Sequence, residues 1–247
     1  MEQAVILAGG LGERLRPLTD ITPKPLVPVA DKPFISHVIN DLKCRGFKNF
    51  ILLTGYRSDM ISEYFKEDQS VICVYSPKEF TKSERLKSAQ HYLNNEFLLL
   101  YSDNFIPEDI GDFDLGRHDL KFTLTKKNPG NFEFSLGSDN LDYDPERKSH
   151  LNFVELGYTS VNKNALFKSL DNVESLEEAF SVAISNNRAS ARVIQGPYFS
   201  VSDPSRLQIT QNAIEGQKII LIDRDGVINK RMPQGEYVTE IAICEFL

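Results

Sequence analysis

Gln3-Ala-Val-Ile-Leu-Ala8 is a short apolar run that passes at once into Gly9, Gly10 and Gly12. A run of that length bounded by glycine reads as a buried strand feeding a loop. The same theme then recurs with helical stretches between the runs. Phe34–Arg45 sets Ile35, Val38, Ile39 and Leu42 at helical spacing, with Gly46 where a helix stops. Phe50–Thr54, Val71–Tyr75 and Phe97–Tyr101 read as strands, and Asp59–Phe65 and Glu84–Leu93 as the helices between them. Strands alternating with helices of this size fold as a parallel sheet with right-handed crossovers. The first half is therefore expected to be doubly wound α/β. From Phe122 the rhythm changes to shorter strands, Phe122–Thr125, Phe132–Leu136 and Gly157–Val161, before helices return at Leu176–Ile184 and Pro204–Ala213. An antiparallel portion around residues 120–160 is the expectation there.

Composition excludes several classes. The 247 residues are 41% hydrophobic and 26% charged, ordinary proportions for a globular chain. No apolar run approaches the ~18 residues of a membrane span, and no basic segment leads into an apolar stretch with a small-residue cleavage site. Cys44, Cys73 and Cys244 are odd in number and lack CxxC spacing, which argues against a disulfide framework or zinc site. A cytoplasmic protein is the expectation. The 35 acidic against 28 basic residues, net −7, disfavour a nucleic-acid binder. An anionic small molecule is not disfavoured, because it answers to local charge.

Local charge is present in the first loop. Glycines let a backbone approach a ligand closely, and their N–H groups can line an anion-binding hollow. The spacing here is neither GxGxxG nor the phosphate loop GxxxxGK[ST]. Arg14 and Arg16 follow it. Next comes Thr22-Pro-Lys-Pro-Leu-Val-Pro-Val29, whose prolines oppose a helix and predict an extended, stiff segment carrying Lys24.

Leu7-Ala-Gly-Gly-Leu-Gly-Glu-Arg-Leu-Arg-Pro-Leu-Thr19, followed by Pro23-Lys-Pro-Leu-Val-Pro-Val29, closely resembles the signature of sugar-1-phosphate nucleotidyltransferases. Lys32-Pro33, Gly55-Tyr56, Glu63-Tyr64-Phe65 and Tyr101-Ser-Asp-Asn104 extend the likeness, which covers roughly residues 1–215. The resemblance implies a Rossmann-like open, mostly parallel sheet with a small antiparallel sugar-binding portion, over a domain of residues 1–217. It implies a nucleoside triphosphate and a sugar 1-phosphate as substrates, with Mg²⁺ as cofactor, and it is compatible with a homo-oligomer. The nucleotide would rest on Leu7, Ala8, Gly9, Gly10, Gly12, Arg14 and Ser83. Arg14, Lys24 and Asp103 would be catalytic, with Asp103 the Mg²⁺ ligand. Glu155 and Gly157, in Val154-Glu-Leu-Gly-Tyr158, resemble the sugar-contacting strand. Such chemistry depends on positioning and charge neutralisation, which this set of residue types can supply.

The chain also departs from the pattern. The family's Gly-Thr-Ala-Gly-like stretch is here Phe80-Thr-Lys-Ser-Glu-Arg-Leu-Lys87, without glycine. The late aspartate that serves as a second metal ligand aligns with Ser200, and Asp203 is the nearest carboxylate to stand in for it.

A second resemblance begins at residue 218. Ile219-Ile-Leu-Ile-Asp-Arg-Asp-Gly-Val-Ile-Asn229 is similar to the first motif of haloacid dehalogenase phosphatases, in the branch acting on histidinol phosphate and heptose bisphosphate. There Asp223 would be the nucleophile and Asp225 the general acid/base. Residues 218–247 would be the incomplete beginning of such a domain, and phosphatase activity is not expected of it. A phosphatase of that branch produces heptose 1-phosphate, so the pairing suggests D-glycero-D-manno-heptose 1-phosphate and GTP as substrates. Mannose 1-phosphate guanylyl transfer is the nearest alternative. A non-catalytic regulatory protein that binds sugar nucleotides is the alternative of another class.

Overall fold

The computed structural model describes residues 1–107, 110–134 and 141–216. Its element order begins β1 (Gln3–Ala8), α1 (Phe34–Cys44), β2 (Asn49–Thr54), α2 (Ser58–Tyr64), β3 (Val71–Tyr75), α3 (Lys82–Ser88) and β4 (Glu96–Tyr101). It continues with β5 (Asn104–Phe105), β6 (Leu120–Gly130), β7 (Phe132–Phe134), β8 (Leu141–Tyr143) and β9 (Leu151–Asn162). Helices α4 (Lys163–Leu170) and α5 (Leu176–Ser185), strands β10 (Ala189–Ile194) and β11 (Phe199–Ser200), and α6 (Pro204–Gly216) complete it.

Every residue of β1 is buried. Strands covered on both faces read as unbroken apolar runs rather than alternating ones. Successive side chains nonetheless point to opposite faces. Ala4 and Ile6 face a core built with Phe34, Ile35, Val38, Ile39 and Leu42 of α1 and Ile61 of α2. Val5 and Leu7 face the other core, with Leu86 of α3, Leu166, Phe167 and Leu170 of α4, and Phe180 of α5. Each such large side chain contributes about 1.5–3 kcal/mol by leaving water, which outweighs any one residue's helix propensity.

The principal sheet runs β8-β7-β9-β4-β1-β2-β3, with β6 paired to β9 and β10 paired to β6. Strands β4, β1, β2 and β3 are mutually parallel, and β9 lies antiparallel to β4 with Tyr158 opposite Leu100. The expected mostly parallel sheet with an antiparallel portion is therefore present. Strand β9 does double duty, because it pairs with β4 on one side and β6 on the other. Between Glu155 and Thr159 the pairing with β6 is interrupted by an irregularity, and Gly157 sits there at φ +74°.

Several expectations need correction. The Pro23–Val29 segment is not wholly extended: Lys24–Leu26 forms a single 3₁₀ turn. Proline tolerates the opening of a helical turn, where its missing N–H would have no partner. Helix α3 starts at Lys82 rather than Glu84, because Thr81 caps it. The Thr81 hydroxyl accepts from the Glu84 amide, and the Glu84 carboxylate accepts from the Thr81 amide. That helix ends at Ser88, and Gln90–Tyr92 is a separate 3₁₀ turn. Strands β6 and β9 are longer than expected. Helix α4 and strand β10 were not expected; β10 is a half-buried strand with polar and small residues, so it lacks an apolar run. No helix among the described residues is long and apolar enough to cross a membrane. Leu136, Lys218–Ile222, Asp223, Asp225 and Cys244 lie outside the described residues.

Candidate functional site

Strands β1 and β4 are neighbours, so their carboxyl ends place the glycine loop beside Ser102-Asp103; the Ser102 amide donates to Leu7 O at 3.3 Å. In an open parallel sheet, this end is where ligands bind. A cavity of about 670 Å³ opens there, walled by Leu7, Ala8, Gly10, Gly12, Glu13, Arg14, Lys24, Asp103 and Ser202, among others. A second cavity of about 520 Å³ adjoins it, with Gly9, Lys82, Ser83, Arg85 and Glu177 in its wall. Leu7, Gly10, Lys78 and Tyr101 border both.

Gly12 adopts a left-handed conformation, φ 68°, and opens the 3₁₀ turn Glu13–Leu15. The Thr19 hydroxyl donates to Gly12 O at 2.9 Å, and a β-carbon at Gly12 would press on Thr19 and on Lys24 Cβ. That packing draws Lys24 under the loop. Lys24 Nζ then donates to Asp103 Oδ2 at 2.5 Å, across 79 residues of sequence, with side chains 15% and 22% exposed. Partial shielding from water makes such a pair stronger than a surface one. Arg14 lies exposed on the same wall, and among the described residues it makes no ion pair. Arg16 is turned aside to Asp20, 3.2 Å away, and to Glu13.

Ser83 Oγ is buried and has no hydrogen-bond partner among the described residues, and Ser83 lines the second cavity. Lys82 forms an ion pair with Glu177, joining the first turns of α3 and α5, while its ammonium stands 5.4 Å from the centre of the Tyr101 ring. Behind Tyr101 lies Glu155. Burial pushes its carboxyl up to about 7; the hydroxyl of Thr159, donating at 3.0 Å, and the charge of Lys82 oppose that rise. Burial, with Glu155 next, also raises the Tyr101 phenol well above its usual range.

The residues expected from sequence fall into two groups. Leu7, Ala8, Gly10, Gly12, Arg14, Lys24 and Asp103 meet on one cavity, and Gly9 and Ser83 on its neighbour. Glu155 and Gly157 line neither cavity; a β-carbon on Gly157 would lie 2.3 Å from the Tyr101 ring, so this glycine lets the ring approach β9 closely. Asp203 is also absent from both walls. Its carboxylate accepts from the Arg206 amide at 2.9 Å, capping α6, and that bond foremost holds its carboxyl below the usual range. Ser202 takes its place on the cavity wall, and Ser200 is buried opposite Asn104, one residue from Asp103.

Arg85 is the residue that sequence reasoning missed. It is 5% exposed, and its guanidinium donates to Thr54 O at 2.9 Å, Ser76 Oγ at 2.9 Å and Lys78 O at 3.0 Å. An arginine on the buried side of a capped helix was the available signal.

A hard divalent cation fits this donor set in one way. Among the described residues no cluster of three or more histidine, cysteine or acidic side chains could hold a metal. Mg²⁺ needs no such cage, since it commonly takes one or two carboxylates plus substrate phosphates and waters. Asp103 and Glu13, on the same wall, are the carboxylates that would hold it.

A glycine loop, two cations and a carboxylate at the carboxyl ends of parallel strands have the chemistry that suits phosphate groups. Comparison with known proteins gives the lineage. Residues 3–113 match the nucleotidyl transferase family. D-glycero-alpha-D-manno-heptose 1-phosphate guanylyltransferase of Campylobacter jejuni is 32% identical over 187 residues, covering 72% of this chain and 82% of that protein. The bifunctional protein GlmU of Methanococcus maripaludis is 27% identical over 214 residues, covering 81% of this chain. The chain spans about half the length of that GlmU, 51%. A UDP-glucose pyrophosphorylase solved with UDP-glucose superposes with a TM-score of 0.74 at 14% identity, over 88% of this chain and all of that one, which establishes the shared fold. The chain belongs to the nucleotidyl transferase family.

Proposed function

We propose that this protein transfers a nucleoside monophosphate from a nucleoside triphosphate to a sugar 1-phosphate, releasing pyrophosphate. The observation that carries the reading is the convergence of the glycine loop, Arg14, Lys24 and Asp103 on one cavity. In the reaction a phosphate oxygen of the sugar phosphate attacks the α-phosphorus in line. The α–β bridging bond breaks, and its electron pair leaves with pyrophosphate. Catalysis of this kind rests on alignment and charge stabilisation.

Leu7, Ala8, Gly9, Gly10, Gly12 and Ser83 bind the nucleotide in this reading. The planar Arg14 guanidinium can fork two phosphate oxygens, and Lys24 supplies a point charge. Asp103 holds Mg²⁺, which when bound neutralises charge on the phosphates. In this reading the sugar lies on the cavity side of Tyr101, whose ring packs on Gly157 of β9.

For substrates we propose D-glycero-D-manno-heptose 1-phosphate and GTP, supported by the Campylobacter relative and by the Asp223-Arg-Asp225 motif. The experiment is pyrophosphate release with Mg²⁺, crossing heptose, mannose, glucose and N-acetylglucosamine 1-phosphates with GTP, UTP, CTP and dTTP. Release greatest with the heptose phosphate and GTP supports the full reading. Release with another pair keeps the reaction and corrects the substrates, and binding without any release establishes the non-catalytic regulatory alternative.

A further inference from the structure

Arg85 stands between two glycines. A β-carbon built on Gly9 would lie 2.4 Å from its Nη1 and 2.6 Å from its Cζ, and one built on Gly55 would also lie 2.4 Å from Nη1. The guanidinium is thus clasped between the first residue of the glycine loop and the turn after β2. Its acceptors are the Thr54 carbonyl, the hydroxyl and the carbonyl of Ser76, and the Lys78 carbonyl, all neutral. Among the described residues no carboxylate lies within ion-pair distance of it. Burial lowers its proton affinity, against the more distant charges of Glu79 and Glu84, and a buried cation with no anion in contact is costly. This one lines the second cavity directly behind the loop backbone.

Resting on the nucleotidyl-transfer reading, we infer that Arg85 is a positioning residue of the nucleotide site: it sets the loop at Gly9 and supplies a positive charge behind it whose counter-ion is the bound triphosphate. The guanidinium takes the space that a β-carbon on Gly9 would fill. Arg85 also fixes Lys78, whose carbonyl it grips and whose side chain borders both cavities. A buried arginine from the glycine-free stretch 80–87 thus holds Ser76 and Lys78 in place beside the loop.

The test is a binding cycle read by calorimetry, using inorganic tripolyphosphate and the four nucleoside triphosphates. The proteins are the wild type, Gly9→Ala, Arg85→Ala and the double variant, with Arg85→Lys to retain charge without the planar shape. Arg85→Ala should weaken tripolyphosphate at least about threefold while leaving the KM for sugar 1-phosphate unchanged, and Arg85→Lys should recover part of the loss. Gly9→Ala should weaken it about tenfold in the wild type but less than about twofold in the Arg85→Ala background, where the new methyl has room. Equal losses from Gly9→Ala in both backgrounds would overturn the proposal, as would unchanged tripolyphosphate affinity in Arg85→Ala. If Arg85→Ala does not fold, Arg85→Lys and Gly9→Ala decide: wild-type affinity in both refutes the inference. A wild-type chain that binds none of these ligands would instead refute the nucleotide reading beneath it.

Discussion

Replacing Gly157 by alanine should destabilise the protein and deform the acceptor side of the site together. Gly157 has φ +74°, a region that costs a residue bearing a β-carbon about 1–2 kcal/mol. The new methyl would also lie 2.3 Å from Tyr101 Cδ2 and 3.0 Å from Asn104 Nδ2. The ring must move, and crowding of this kind in a packed region costs about 1–3 kcal/mol. The two contributions sum to about 2–5 kcal/mol, a large part of the ~5–15 kcal/mol that typically holds a folded protein together. In urea the midpoint should fall by about 1–2.5 M for an m-value of ~2 kcal/mol/M. Because Tyr101 walls both cavities, the KM for sugar 1-phosphate should rise as well. Tyr101→Ala in the same background should relieve the crowding but not the backbone strain, so the two substitutions should be less than additive. A midpoint shift equivalent to less than ~0.5 kcal/mol, with normal kinetics, would refute the account of this glycine.

Asp103→Asn should lower kcat by about 100-fold or more, roughly 2.7 kcal/mol of barrier, with the fold intact by circular dichroism; a loss of only about threefold would remove Asp103 as the metal ligand. Lys24→Met removes the cation now bonded to Asp103, so Mn²⁺ binding without nucleotide, followed by electron paramagnetic resonance, should tighten even as turnover falls. Unchanged Mn²⁺ affinity would show that Lys24 and metal do not share that carboxylate. Glu155 is raised from 4.5 to about 7, so the native state keeps a proton that the unfolded chain has released. Its contribution to stability therefore falls as pH rises through that window. Glu155→Gln should remove that slope, its stability relative to wild type improving between pH 5 and 8; parallel denaturation curves would exclude the protonated carboxyl.

What the sequence made legible was the part governed by local rules. The apolar runs of β1, β2 and β4 announce strands buried on both faces, and Ile35, Val38, Ile39 and Leu42 announce the inner face of α1. The loop, Lys24 and Asp103 were recognisable as a set, although only the pairing of β1 with β4 brings them together. Other features depended on long-range contacts that leave no local signature. Strand β10 reads as polar because one side pairs with β6 while much of its surface stays half exposed. Asp203 looked available as a ligand, yet the amide of Arg206 claims it. Arg85 sat unremarked in a helix, since its significance comes from Gly9 and Gly55, distant in sequence and adjacent in space.

Strand β9 bonds through its backbone to β4 on one edge and to β6 on the other. The nucleotide half and the acceptor half are consequently pleated into one continuous fabric, with no seam along which they could swing as separate plates. A hinge at that junction would have to unzip main-chain hydrogen bonds such as those around Tyr158 and Leu100. Enclosing two substrates must then fall to side chains set on that frame, such as the charged clasp of Lys82 and Glu177 beside Tyr101. Selection among acceptors is accordingly a matter of which side chains line a stiff frame. Related chains can change substrate by exchanging a few of those residues without rebuilding the sheet that carries them.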